Sequence, residues 1–178
     1  MDFDLGAPAC VAGLLVAVCV SIRDHATPKD VAREISWSVL PLVAGLFVIV
    51  EAMNGAGALG VSIRALREME TWQSIHSALT SGFGVALISN LMNNLPSGLI
   101  IGSAVRAAGA TGPLRNAVLI GIDLGPNLSV TGSLATILWL IAIRREGQEV
   151  GFWKFLKWGA LVMPPALAAA ILAVLFTP

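Results

Sequence analysis

The chain has 178 residues, 56% of them hydrophobic and 12% charged, with eleven basic residues balancing eleven acidic ones. Soluble domains carry about 25% charged residues, and a mean hydropathy of +0.82 leaves too little polar surface for a fold bathed in water. Zero net charge and the lack of a basic tract argue against nucleic acid as a partner.

Five stretches are long and apolar enough to cross a hydrocarbon core of roughly 30 Å: residues 5–22, 35–53, 77–105, 116–143 and 158–176. The first is preceded by two aspartates and no basic residue. A secretory signal needs a basic leader, so this run is read as a span. Its two cysteines, Cys10 and Cys19, stand about 2.5 helical turns apart and are expected as small packing residues. The second run ends near Glu51, which is free to snorkel. Residues 61–72 place Arg64, Arg67, Glu68 and Glu70 among Ile63, Leu66 and Met69, the pattern of an interfacial helix. His25 and His76 fall near interfaces and are read as loop residues.

Residues 77–105 carry no charge over 29 positions. One helix of that length would measure about 43 Å, well beyond the core. The motif Ser89-Asn90-Leu91-Met92-Asn93-Asn94-Leu95-Pro96 interrupts it. Proline removes a donor and pushes the residue before it out of the helical region. The chain is therefore expected to break near Asn93–Asn94 and restart at about Pro96.

Residues 116–143 contain one charge, Asp123, followed by Gly125, Pro126, Asn127, Ser129, Thr131, Gly132 and Ser133. A helix should end at Gly125 and another should begin near Ser133, leaving a break over 124–132. Residues 144–157 form a polar connector containing Arg144, Arg145, Lys154 and Lys157. The five tryptophans lie mostly near run ends, as an aromatic belt requires.

Charge bias orders these runs. The loops around 23–33 and 144–157 hold seven of the eleven basic residues and so belong on the cytoplasmic side. An even number of crossings must separate them. That makes 77–105 a re-entrant hairpin, with its tip near Asn93–Asn94, and puts both chain ends outside the cytoplasm. The expectation is a single all-α polytopic membrane domain with a re-entrant hairpin and a broken transmembrane helix.

Non-helical backbone at membrane depth is tolerated only where it is buried in protein or lines a cavity, as in secondary transporters. Asp123 is the one charged residue well inside a span, and such carboxylates mark ion or proton paths. Capping of the broken helix is the alternative for it. The amides of Asn90, Asn93, Asn94 and Asn127, with Thr131 and Ser133, could bind a neutral polyhydroxylated solute or satisfy the freed backbone. No GxxxxGK, HExxH or Cys/His cluster occurs, so no nucleotide, metal or cofactor is expected, and no enzymatic activity.

At the two breaks the chain resembles the arsenite/antimonite efflux pump family (ArsB) of the ion transporter superfamily. Ser89–Pro96, Gly121-Ile-Asp-Leu-Gly-Pro-Asn127 with Thr131–Leu140, and the weaker stretch from Trp37 to Val48 carry the likeness. The resemblance implies proton-driven export of trivalent arsenic and antimony hydroxides across the cell membrane. Pumps of this family have two inverted halves, and this chain aligns with the second. A partner is therefore implied, the missing N-terminal half or a second copy, and in some relatives a soluble ATPase subunit joins. Arsenous acid is a neutral triol, which suits uncharged amides. It gains nothing from membrane voltage, so Asp123 would couple protons. The alternatives are a related carrier of sodium, carboxylates or silicic acid, or a non-transporting membrane subunit or fragment.

Overall fold

The structure is a computed structural model and describes residues 6–23, 27, 29, 33 and 37–176. The chain divides into two units, Met1–Leu42 and Val43–Pro178. The first holds α1 (Gly6–Arg23) and the opening turn of α2 (Val39–Gly55); His25 lies outside the described residues. The second holds α3 (Ala58–Met69), α4 (Ser74–Met92), α5 (Asn94–Ala108) and α6 (Gly112–Leu124). Two 3₁₀ turns follow, Gly125–Leu128 and Val130–Gly132, and then α7 (Leu134–Arg145) and α8 (Phe152–Phe176). No strand occurs among the described residues. The chain is an all-α polytopic membrane protein: α1, α4 and α8 are each long and apolar enough to cross a bilayer, and α2 with α3 passes the same test as a pair bent by 68°.

The expected amphipathic segment is α3. It runs from Ala58 to Met69, a few residues earlier than 61–72. Leu66 is buried while Arg64, Arg67 and Glu68 are exposed. Helix α3 leaves α2 at a bend of 68°.

The long uncharged stretch is a helical hairpin. Val85 and Ile101 stand eight residues to either side of Asn93 and line one crevice, so the arms fold back on each other. The two arms differ in length. The first arm begins at Ser74, three residues before the uncharged run, because Gln73 is extended and starts the helix there. At 19 residues it measures about 28 Å. The second arm has 15 residues and about 22 Å.

Two further helices begin ahead of the apolar runs at 116–143 and 158–176. Thr111 is extended and Pro113 sits in the first turn, so α6 starts ahead of the exposed Arg115. Helix α8 begins at Phe152 with Lys154 and Lys157 exposed on its first turns. It continues through Pro164 and Pro165, which lack amide donors and leave carbonyls one turn earlier unpaired.

The centre of the second unit is the crossing of α4 and α6. Ala78, Gly82 and Ala86 form a row of small residues at four-residue spacing, and Ala117, Gly121 and Gly125 form another. A Cβ on Gly121 would overlap the backbone of Gly82, and one on Gly125 the backbone of Ala86. Small residues let membrane helices approach this closely. Met163, Leu167 and Ile171 of α8 pack over Ala78, Ala86 and Ala117. On the other side Leu66 of α3 joins Val85, Ile101, Leu114 and Val118. This double packing fixes the hairpin tip and the end of α6 beside each other.

Candidate functional site where two helix breaks meet

The first break is one residue wide. Asn93 takes φ 78° and ψ 146°, backbone that side chains other than hydrogen occupy at a cost of about 1–3 kcal/mol. Its side chain repays part of this. The Oδ1 accepts from the Leu95 amide at 3.3 Å, and Nδ2 donates to the Thr131 carbonyl at 3.1 Å. The helix restarts at Asn94, two residues ahead of Pro96, which sits buried in the first turn.

The second break covers 125–133. Its two 3₁₀ turns are joined by extended Ser129 and followed by extended Ser133. Asn127 Nδ2 donates to the carbonyls of Asp123 and Leu124 at 3.3 and 3.1 Å, satisfying acceptors freed by the end of α6. The Ser133 hydroxyl accepts from the Ala135 amide at 3.2 Å and caps α7.

The two breaks are tied together. Asn90 Oδ1 accepts from the Ser129 amide at 3.0 Å and from its hydroxyl at 2.8 Å. The Ser129 hydroxyl lies 3.2 Å from that of Thr131. A Cβ on Gly132 would overlap Pro126 and meet Asn90 Oδ1. Asn90 and Asn93 are 8% and 6% exposed. Their polar atoms serve the frame: Asn90 Oδ1 and both polar atoms of the Asn93 amide hold the breaks.

Beside this frame lies an open depression of about 480 Å³ lined by Asn94, Asp123 and Ser133 together with Leu95, Leu134 and Ala135. The N-terminal turns of α5 and α7 both reach it, and helix N-termini favour electron-rich groups. Among the described residues the Asp123 carboxylate and the Asn94 amide have no hydrogen-bonding partner, and Asp123 is exposed. The structure therefore gathers Asn94, Asp123 and Ser133. It does not place Asn127 with them. Asn127 faces the other side of the break, where it lines a crevice with Gly159 and Val162 of α8, because the 3₁₀ turn carries its side chain back over the end of α6.

Several residues of the site were not singled out in the sequence. A Cβ on Gly159 would overlap the carbonyl of Leu128, so α8 seats directly against the second break. The rows of small residues on α4 and α6 were readable at four-residue spacing. Ser89 and Ser97 have fully buried hydroxyls without a hydrogen-bond partner, and no local signal marks them. No cluster able to hold a metal occurs among the described residues.

A family model described as arsenical pump membrane protein (ArsB) matches residues 5–177. An arsenical pump membrane protein of Escherichia coli is 28% identical over 97% of this chain and 41% of its own length. An uncharacterized transporter of Mycobacterium tuberculosis is 28% identical over 92% of this chain and 39% of its length. A putative arsenical pump membrane protein of Bacillus subtilis is 22% identical over 85% and 34%. The chain thus spans about two fifths of the length of the curated relatives it matches. No solved structure matches it.

Proposed function

The chain belongs to the ArsB family of arsenical pump membrane proteins, and from that premise we propose that it forms the C-terminal half of a proton-coupled exporter of trivalent arsenic and antimony hydroxides. The observation that carries this reading is the convergence of Asn94, Asp123 and Ser133 on one depression at the ends of two interrupted helices. A carboxylate exposed between apolar segments is costly against lipid. Covered by a second half, the same carboxylate faces a small wet cavity.

In this reading α4 and α5 enter and leave the membrane on one side, and the break after α6 lies at the same depth. Asn94 and Ser133 hold the hydroxyls of the neutral solute. Asp123 takes up a proton on the outer side and releases it inside as the solute passes outward. Asn90, Asn93 and Thr131 keep the two breaks in register, while Asn127 stabilises the end of α6. Pro96, Gly125, Pro126 and Gly132 shape the breaks. The second half is the missing N-terminal segment or another copy, and a soluble ATPase is a further partner for the assembled pump.

The test is arsenite transport in everted membrane vesicles from cells making this chain with a matching first half, under an imposed proton gradient. Asp123→Asn is expected to abolish proton-driven accumulation while the protein still inserts and melts normally. Full accumulation by that variant would remove Asp123 from coupling. Saturable competition by sodium, a dicarboxylate or silicic acid in place of antimonite would reassign the substrate.

A further inference from the structure

A second open groove, of about 370 Å³, lies between α7 and α8, away from the depression just described. It is lined by Trp139, Phe155, Trp158 and Val162, with Lys154 and Asn127. Positions 154, 155, 158, 159 and 162 follow one another on a single face of α8, as the 3.6-residue repeat dictates. Trp139 and Trp158 are 51% and 58% exposed, a large aromatic surface with no covering element among the described residues. From Lys154 to Val162 the groove descends about 12 Å along the helix.

Its chemistry is that of an amphiphile with an anionic head. Lys154 is the one charged residue in the lining, and apart from Asn127 the rest of the walls are apolar or aromatic; the segment around it, residues 144–157, holds four basic residues against Glu146 and Glu149. The Asn127 amide protons already serve the Asp123 and Leu124 carbonyls. An extended peptide laid in the groove would leave its own amides and carbonyls unpaired. An acyl chain has none to satisfy, and basic pockets between membrane helices suit acidic lipid headgroups.

We propose that this groove binds an anionic phospholipid, with the phosphate at Lys154 and one acyl chain against Phe155, Trp158 and Trp139. The bound chain lies over Asn127 and beside Gly159, whose close seat on Leu128 joins α8 to the second break. The lipid thereby packs against the segment that frames the candidate transport site without entering it.

Native mass spectrometry of the purified full chain, incubated with phosphatidylglycerol or phosphatidylcholine of identical acyl composition, tests this. Phosphatidylglycerol should be retained roughly fivefold over phosphatidylcholine, the scale of one basic residue acting at a membrane surface. Lys154→Gln should erase that preference while leaving total lipid bound. Trp158→Ala should lower retention of both lipids, and Trp158→Phe should restore it. Equal retention of the two lipids by the unaltered chain, or an unchanged preference in Lys154→Gln, overturns the proposal. So does a dimer lost in Trp158→Ala that carries no lipid, since a second copy would then fill the groove. Lys154 is exposed, so its substitution reads binding rather than folding. None of these outcomes depends on which solute the protein carries.

Discussion

The two helix breaks solve one problem in different ways. At the hairpin tip a single residue, Asn93, leaves helical geometry, and its own side chain caps the restart. After α6 the interruption is nine residues long, and its own Asn127 and Ser133 cap only the helix ends on either side. Its middle is held by Asn90 from the hairpin and by close approach of Gly125 to Ala86 and of Gly159 to Leu128. A short break can be locally encoded. A long one needs its neighbours, and that dependence brings a carboxylate, an amide and a hydroxyl to one face.

The sharpest way to break this contrast is to push the neighbours away. Gly125→Val places a side chain in the Ala86 backbone and is expected to cost about 3 kcal/mol or more, read as a large drop in melting temperature in detergent. Asn90→Ala strands the Ser129 amide and hydroxyl, with an expected cost of about 2 kcal/mol for buried unpaired groups. At the tip the order of two variants separates strain from capping. Asn93→Ala keeps the strained backbone and loses both hydrogen bonds, whereas Asn93→Gly relieves the strain, so alanine should be worse by about 1 kcal/mol. Equal melting of the two would mean that the backbone geometry contributes nothing. The smallest effect is expected at Gly84, where a Cβ meets nothing within 4 Å. Gly84→Ala should be neutral or stabilising by up to about 1 kcal/mol, while Gly82→Ala, two residues away and against Ile171 and Ala117, should destabilise.

What could be read in advance follows the same division. Asn93-Asn94-Leu95-Pro96 announces a break because asparagine and proline act on their own backbone, and the position was legible to within two residues. Glycine, proline and polar residues at 125–133 announce a second break for the same reason. Which way its side chains point was not legible. Asn127 looks like its neighbours in the sequence, yet the 3₁₀ turn carries its amide back onto the Asp123 and Leu124 carbonyls, on the α8 side, and leaves Ser133 and Asp123 on the other side. The helices start at Ser74, Gly112 and Phe152, ahead of the apolar runs, and in α6 and α8 the exposed Arg115, Lys154 and Lys157 sit comfortably on the early turns. The partnerless hydroxyls of Ser89 and Ser97 follow from burial alone, which no local pattern encodes.

The proposed function rests on a division of labour, in which Asn94 would face the solute while Asn90 holds the frame. The direct measurement is the concentration dependence of arsenite transport in everted vesicles, taken together with melting temperature, for Asn94→Ala and Asn90→Ala. Loss of a hydrogen bond to the solute should raise the half-saturating concentration for Asn94→Ala roughly tenfold at unchanged melting temperature, while Asn90→Ala should melt earlier. Unaltered half-saturation in Asn94→Ala, with a melting loss equal to that of Asn90→Ala, would contradict the account.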